Sequence, residues 1–345
     1  MCRSKNVKTP KYPSPDSHED EVARHPAPVQ DPGTGQPLFT VFTSTYNRAH
    51  TLSRVYDSLC KQTCRDFEWL IVDDGSTDGT RDLVSSWGGS SFPIRYVHQE
   101  NRGRHVAINQ GVASARGQLF LSVDSDDSFS PQALERFKWH WEQIPPHLRS
   151  AFVGVTALCA DQFGRLVGSK FPRDVIDSDS NEIRYRYGVT GDKWGFQRVE
   201  VLRQCPFPEV PDTNYVPAGI VWFAIARSYK TRYVNEVLHT YWQAESRGAQ
   251  VSTSALSSAR AAGHALAHCS ILNNDLKWFR YAPLRFLRSG ANFSRFSFAA
   301  RVGILDQRRK LSAAAQIVWA VALPLGYAAA ALDRARNPSL RRRRS

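Results

Sequence analysis

The sequence predicts an α/β fold in which a mainly parallel sheet is flanked by helices, followed by a helical C-terminal region. Between residues 38 and 123, short apolar stretches typical of strands alternate with stretches of helical spacing. Polar clusters follow three of these strands at the point where each strand ends. Alternating strands and helices imply βαβ units, whose strands run parallel and are covered on both faces.

The expected elements follow one another along the chain. Strands are expected at residues 38–45, 68–72, 94–98 and 118–123, and later near 152–158 and 231–236. Helices are expected at residues 51–62, from about 80, at 105–115 and from 131 to about 143. Past residue 250 the pattern becomes helical and increasingly basic.

Composition divides the 345 residues into three parts. Residues 1–36 are rich in Pro, Ser, Asp, His and Lys, and a segment with so few aliphatic residues is expected to be disordered. Residues 37–245 should form the sheet domain, and residues 246–345 a basic helical region that contains the apolar segment 313–332. The first thirty residues have no apolar run, so no signal peptide is expected. The six cysteines lack zinc-ligand spacing and are interpreted as reduced thiols of a cytoplasmic protein.

The net charge of +13 indicates an anionic partner. Residues 341–344 are all arginine, so part of this excess belongs to a tail. Aromatic residues do not interleave with that tail, as stacking on a single-stranded nucleic acid would require. We therefore expect no nucleic-acid partner.

The sequence Asp124-Ser125-Asp126-Asp127 ends an apolar strand. Where a chain turns at a strand end, two carboxylates can converge on one hard cation, and Mg²⁺ or Mn²⁺ is commonly shared between carboxylates and substrate phosphates. Asp124 and Asp126 are the expected ligands. The alternative is a polar turn in which Asp126 caps the following helix.

Asp73 and Asp74 begin a second cluster, residues 73–79. Neighbouring carboxylates at a buried strand end repel each other, and they could accept hydrogen bonds from a nucleobase or ribose. The alternative is an Asx-type turn with a helix cap.

Residues 101–105 and Asn109 form a third cluster, in which Arg102 and Arg104 flank a glycine at a helix start. Such a position suits phosphate oxygens. The alternative is a solvated charged loop.

In order and spacing, these pieces resemble the inverting family 2 glycosyltransferases of the GT-A fold. The resemblance rests on residues 43–48, 72–78, 101–109 and 124–127, and it covers roughly residues 38–130. Four later stretches resemble a bacterial subgroup that acts on cell-surface polysaccharides and glycolipids. These stretches are residues 190–194, 207–209, 215–217 and 233–237.

The resemblance implies a metal-dependent, inverting transfer of a sugar from a nucleotide-diphosphate sugar, expected to be a UDP-sugar. The acceptor would be a saccharide or lipid-linked molecule in cell-surface glycan synthesis. The implied donor-binding residues are Ser44, Thr45, Asn47, Arg48, Asp73, Asp74, Arg104, Asn109 and Asp124. Asp124 and Asp126 would hold Mn²⁺ or Mg²⁺, with Asp126 the more direct ligand.

One position departs from the subgroup. Its members usually carry a Glu in a Val-Pro-Glu stretch, and this chain has Ala218 there. Inversion needs a carboxylate that accepts the proton of the acceptor hydroxyl. The remaining candidates are Asp192, Glu209 and Asp212, of which Asp192 is favoured because it lies in a stretch expected on the acceptor side. Asp192 could instead be structural, paired with Lys193 or a turn backbone.

Ala218 also leaves open a catalytically impaired homologue that only binds nucleotide sugars. A nucleotidyltransferase that makes nucleotide sugars would need a glycine-rich loop after the first strand. Residues 43–47 contain no glycine, which disfavours that class.

The apolar segment 313–332 is about long enough to span a bilayer, but Pro324 and Gly326 interrupt it. Basic residues lie on both sides, at positions 308–310, 334 and 336. Charge on both flanks favours a bent helix in the cytoplasmic membrane interface over a span. A buried helix pair is the third possibility. We thus expect a peripheral protein on the inner face of the plasma membrane, held on anionic lipid near a lipid-linked acceptor.

Overall fold

The computed structural model describes residues 35–210, 213, 215–242 and 257–336. Asp212, the arginines at 341–344 and nearly all of the segment expected to be disordered lie outside the described residues. The five cysteines within the described residues are free thiols.

The described chain forms a nine-stranded sheet with helices packed against it, followed by four further helices. The strands are β1 Phe39–Thr45, β2 Phe67–Asp73, β3 Ile94–His98, β4 Leu119–Ser122, β5 Ser128–Phe129, β6 Phe152–Asp161, β7 Val175–Ser178, β8 Lys193–Arg198 and β9 Lys230–Tyr241. The helices are α1 Ser53–Cys60, α2 Thr80–Ser85, α3 Arg104–Ser114, α4 Ala133–Glu142, α5 Ser180–Tyr185, α6 Val199–Gln204, α7 Gly219–Ile225, α8 Ser258–Asn274, α9 Pro283–Ala299, α10 Ile304–Arg309 and α11 Ala313–Arg336. Two 3₁₀ segments, Pro146–Ala151 and Leu276–Tyr281, precede β6 and α9.

The strand order is β3-β2-β1-β4-β8-β6-β9-β5, and β7 pairs with β9. The first four strands are parallel neighbours, as the sequence predicts. Beyond them the sheet is mixed, because β8 is antiparallel to both β4 and β6, whereas β6 and β9 are parallel. The predicted parallel sheet is therefore confirmed in the N-terminal half.

Strand β2 explains why this half forms a three-layer structure. Its side chains alternate between two buried clusters, with Trp69 and Ile71 on the side of α1 and Leu70 and Val72 on the side of α3. All of these side chains are buried. A strand that is buried on both faces usually contains a continuous run of apolar residues, and residues 69–72 form such a run.

The C-terminal helices pack through small residues. A Cβ on Gly326 of α11 would lie 2.5 Å from the carbonyl oxygen of Ala291 on α9, so the two helices touch along their backbones. Nε1 of Trp319 donates to Oγ of Ser294 at 2.8 Å. Helix α11 is continuous through Pro324. One face of the apolar segment is therefore part of a helical core.

Candidate functional site

The carboxyl ends of β1 to β4 meet at one edge of the sheet. In the strand register, Thr45 pairs with Asp73, and Asp73 pairs with His98. The polar clusters predicted from sequence thus lie side by side. The chain passes from β1 outward to β2 and β3 and then returns to β4 on the other side of β1. Such a reversal of strand order is a switch point, where α/β sheets bind ligands. Ser44 is half-buried here, and within the described residues the buried Oγ1 of Thr45 has no hydrogen-bond partner.

Asp73 is fully buried and holds the turn after β2. Its Oδ1 accepts a hydrogen bond from the backbone N–H of Ser76 at 2.8 Å, and Oδ2 accepts one from the Tyr96 hydroxyl. Burial, followed by the bond to Asp73, raises the pKa of Tyr96. These contacts are those of the Asx-type turn, and a contact between Asp73 and a nucleobase stays a prediction.

Asp74 fixes the beginning of α3. Its Oδ1 accepts from Nε2 of Gln99 at 2.7 Å and from the N–H of Arg102 at 2.9 Å, while Oδ2 accepts from the N–H of Gly103 at 2.8 Å. Gly103 has a φ of +96°, a conformation that glycine adopts without strain. The predicted contact between Asp74 and the base likewise stays a prediction.

Asn47 joins the loops after β1 and β2. Its N–H donates to Oγ of Ser76 at 2.8 Å, and its Oδ1 accepts from the N–H of Thr77 at the same distance. Asn47 has a φ of +54°, which asparagine tolerates better than most residues. The two loops therefore form one ridge above the sheet edge.

Asn109 holds the loop after α6 against α3. Its amide nitrogen donates to the carbonyl oxygen of Phe207 at 2.9 Å, and its Oδ1 accepts from the N–H of the same residue at 2.8 Å. Glu209 lies in this loop and pairs with Arg102 at 2.6 Å. Glu209, one of the three candidate catalytic bases, is therefore already paired with an arginine. The role of Asn109 in donor binding remains a prediction.

Three carboxylates gather after β4. Asp124 is half-exposed and pairs with the guanidinium of Arg104. Burial, followed by the charge of Asp124, raises the pKa of Asp126, which the charge of Arg48 opposes. The same two causes raise the pKa of the buried Asp127 to about 8. Burial and the charge of Asp124 therefore both disfavour the ionised forms of Asp126 and Asp127 in this cluster.

His239 lies beside this cluster, although the sequence analysis did not identify it. Its Nε2 is 3.4 Å from Oδ2 of Asp127, and neither ring nitrogen has a hydrogen-bond partner in the described part of the chain. Burial lowers the pKa of His239 to about 4. The feature that could have located His239 is the length of β9, because this strand continues past its predicted end at residue 236 and pairs with β5.

Trp242 and Arg54 close the same side of the cluster. The N–H of Trp242 donates to Oδ1 of Asp127 at 2.9 Å, and the Arg54 guanidinium carbon lies 4.4 Å from the centre of the Trp242 ring. Arg54 also donates to the carbonyl oxygen of Asp126 at 3.0 Å. These contacts fix the backbone that carries the carboxylates.

The carboxylates suit a divalent cation that is shared with a substrate. Among the described residues, no group of three His, Cys, Asp or Glu side chains could enclose a metal ion alone. Asp124 and Asp126 could supply two oxygen ligands and leave the remaining positions to phosphate and water, as Mg²⁺ sites commonly do. The alternative in which Asp126 caps a helix is wrong, because β5 follows it and α4 begins only at Ala133.

A cleft of about 500 Å³ runs from these carboxylates across the sheet. Arg104 and Asp124 line one part of it, and Asp192 and Ala218 line another. The position at which the subgroup has a Glu is therefore in the cleft wall. Glu209 is not among the residues that line the cleft, and Asp212 lies outside the described residues.

Asp192 belongs to a loop that is held by its backbone. Nζ of Lys193 donates to the carbonyl oxygens of Thr190 at 2.7 Å and Val167 at 3.3 Å. A Cβ on Gly191 would lie 2.5 Å from Cα of Gly168, so that glycine is needed for the close approach of the two turns. Asp192 is exposed, and its carboxylate forms no ion pair with any described residue. The structural alternative of an Asp192–Lys193 pair is therefore not realised.

Comparison with known proteins identifies the domain. The profile described as Glycosyl transferase family 2 matches residues 40–190. Residues 40–190 thus form a family 2 glycosyltransferase domain. An uncharacterized glycosyltransferase of Nostoc sp. is 40% identical over 98 residues, which are 28% of this chain and 30% of that protein. The hyaluronan synthase of Pasteurella multocida is 33% identical over 115 residues, 33% of this chain and 12% of that protein. The chain thus spans less than a third of either relative.

The solved structures agree on the fold. S. aureus TarS 1–349 in complex with UDP-GlcNAc has a TM-score of 0.54 and 20% identity, over 85% of this chain and 81% of that one. The structure of S. aureus TarS without this truncation has a TM-score of 0.56 and 18% identity, over 88% of this chain and 53% of that one. The GT-A-like fold expected from sequence is confirmed. The profile match contains the clusters at the ends of β1, β2 and β4 and ends just before Asp192, so Asp192 and Ala218 lie outside it.

Proposed function

We propose that this chain transfers a sugar, with inversion, from a UDP-sugar to a saccharide or lipid-linked acceptor in cell-surface glycan synthesis. The observation that carries the proposal is the single cleft that joins the carboxylate cluster at Asp124 to the exposed carboxylate of Asp192. The relatives support the reaction class, since they include the hyaluronan synthase and a PGL/p-HBAD biosynthesis glycosyltransferase of Mycobacterium bovis. The complex of TarS with UDP-GlcNAc supports the nature of the donor.

The donor would lie above the ends of β1, β2 and β4. Ser44, Thr45 and Asp74 would face the nucleobase, and Arg104 at the start of α3 would approach the diphosphate, where helix N–H groups also favour negative charge. Asp124 and Asp126 would hold Mn²⁺ or Mg²⁺. When bound, the cation supplies positive charge to the departing diphosphate.

The acceptor would enter from the side of Asp192. Its hydroxyl oxygen attacks the anomeric carbon, the bond from that carbon to the diphosphate oxygen breaks, and the Asp192 carboxylate takes the hydroxyl proton. This role requires a carboxylate that is not already paired within the protein. Asp192 meets this requirement better than Glu209, which pairs with Arg102.

A thermal-shift screen of nucleoside diphosphates with and without Mn²⁺ tests the donor, and hydrolysis or transfer from a panel of UDP-sugars tests the reaction. We expect UDP to stabilise the protein more in the presence of Mn²⁺ and at least one UDP-sugar to be turned over. Binding without turnover would instead favour a nucleotide-sugar-binding homologue, for which Ala218 in the cleft wall is the supporting observation.

We further propose that the protein is peripheral on the inner face of the plasma membrane. By length and composition α11 could cross a bilayer, but one of its faces packs on α9. On the opposite face Ile317, Val321 and Leu325 are 70%, 67% and 69% exposed. Apolar side chains four residues apart beside the basic residues 308–310 are typical of a helix that lies in the interface.

A further inference from the structure

Three arginines lie on α5 and α9, and one of them lines the cleft. Arg184 is exposed and lines the cleft. Nη1 of Arg285, on α9, donates to the backbone carbonyl of Arg184 at 3.2 Å. Arg288, one turn further along α9, is exposed. These three residues are called the arginine cluster.

The arginine cluster has no acidic partner in the described part of the chain. None of its guanidinium groups forms an ion pair with a carboxylate there. Of the acidic residues nearby, Asp275 is buried against Arg227 at 2.9 Å and Glu182 pairs with Arg186 at 2.7 Å, while Asp179 caps α5 by accepting from the N–H of Glu182 at 2.8 Å. The positive charge of the cluster is therefore not compensated by the carboxylates around it.

Arg184 lies against an aromatic wall of the cleft. The guanidinium carbon of Arg184 lies 5.0 Å from the centre of the Phe223 ring, and Phe223 and Trp222 both line the cleft. A guanidinium held against a ring keeps N–H groups free for a planar or tetrahedral anion. The wall also offers a flat apolar surface beside the charged one.

We propose that the acceptor carries a phosphate group and that the arginine cluster binds this phosphate while the acceptor hydroxyl lies toward Asp192. This inference rests on the proposed glycosyl transfer and names the chemistry of its acceptor. Arginine is the residue that best matches phosphate oxygens, because its fork donates two parallel hydrogen bonds. The phosphate could belong to a lipid carrier or to the saccharide itself, and the recognition chemistry is the same.

Calorimetric titration of the full-length protein tests the proposal, with UDP and Mn²⁺ present so that the donor site is filled. Two matched pairs of probes are used: geranyl phosphate with geraniol, and glucose 6-phosphate with glucose. We expect at least one phosphate to bind about tenfold or more tightly than its neutral counterpart, since charge-assisted hydrogen bonds are the strong ones. The double variant Arg184→Gln/Arg288→Gln should lose this preference. Arg285 is retained because it supports the backbone of α5.

Arg116→Gln is the matched control, because Arg116 is exposed at the amino end of β4, away from the cleft. A preference confined to geranyl phosphate assigns the phosphate to a lipid carrier, and one confined to glucose 6-phosphate assigns it to the saccharide. Equal binding of charged and neutral probes, or a preference that the double variant keeps, would overturn the proposal. UDP affinity is measured separately in each variant, so a failure of the proposed donor chemistry is distinguished from a failure of the acceptor site.

Discussion

The ammonium group of Lys193 lies 2.7 Å from the carbonyl oxygen of Thr190 and forms no ion pair with the carboxylate of its neighbour Asp192. Burial lowers the pKa of Lys193, so the carbonyl oxygens around it supply the contacts that its charge needs. Backbone carbonyl groups thus hold the loop in place through Lys193. The Asp192 carboxylate makes no contact that would stabilise the loop. A carboxylate in this position can be replaced with little effect on the fold.

We therefore expect Asp192→Asn to lower turnover by about 10²-fold or more, the range for a lost general base. Donor affinity should change little, because the donor would lie at the other part of the cleft. Steady-state kinetics with a UDP-sugar and titration with UDP separate the two effects. Glu209→Gln is the matched control, since Glu209 is outside the cleft lining and should retain most activity. If donor affinity falls as much as turnover, Asp192 belongs to the donor site instead.

Asp126→Ala should abolish transfer and Mn²⁺-dependent binding of UDP while leaving the fold intact. Asp126 is half-buried in a cluster of like charges, so removing it relieves repulsion and does not break a pair. Circular dichroism and calorimetry in Mn²⁺ and in chelator check both parts. Asp57→Ala, at an exposed position on α1, should behave like the unaltered protein. Transfer that persists in excess chelator would refute metal dependence.

Asp74→Ala should destabilise the protein by about 2–4 kcal/mol, because buried donors to a charged group would lose their acceptor. Two of those donors are the backbone N–H groups of Arg102 and Gly103. Urea denaturation measures the loss, and Asp82→Ala on the exposed side of α2 should stay within about 0.5 kcal/mol of the unaltered protein. An unchanged free energy of unfolding, together with weakened UDP binding, would favour the nucleotide-binding interpretation over the structural one.

The first half of the fold could be predicted from sequence because its signals are local. Apolar runs separated by helical spacing fixed β1 to β4 to within a residue or two, and the rule that parallel strands end at one edge brought residues 44–48, 73–79 and 124–127 together. In the second half β6 and β9 were predicted, but β5, β7 and β8 were not, because short antiparallel strands depend on pairings with distant strands. No local sequence pattern indicates with which distant strand such a short segment will pair.

The roles of individual side chains were harder to predict than their positions. Asp73 and Asp74 are adjacent in sequence, yet one holds the turn after β2 and the other holds the start of α3. His239 was missed because its partner Asp127 is distant in sequence and because the strand was expected to end at residue 236, before His239. Such contacts arise from tertiary packing, which spacing along the chain does not encode.

Acid should weaken the fold through Glu236. The hydrogen-bonded Arg136 holds the pKa of Glu236 at about 2, below the ordinary value of 4.5 for a glutamate. A carboxyl group whose pKa is lowered by folding contributes stability above its unfolded pKa, and that contribution is lost as the pH falls from about 4.5 toward 2. Glu236→Gln should therefore lower the free energy of unfolding at pH 6 and have a smaller effect at pH 3. An effect of equal size at both pH values in urea titrations would contradict this linkage.

The exposed face of α11 should bind anionic vesicles. Replacing Ile317, Val321 and Leu325 with serine removes apolar surface that would otherwise enter the interface, and sedimentation with phosphatidylglycerol vesicles should fall about tenfold or more. These side chains point away from α9, so the variant should keep its thermal stability. Truncation after Asp306 would instead remove Trp319 and expose the buried side chains that it packs against, so a loss of anchoring could not be distinguished from a loss of folding. Phe163→Ser is the control, because Phe163 is 71% exposed on the turn after β6 and lies in the sheet domain.

Binding should weaken with salt, since attraction between surface charges is screened. Binding that resists salt would indicate insertion, and a full-length protein that never sediments with these vesicles at low ionic strength would disprove the membrane proposal.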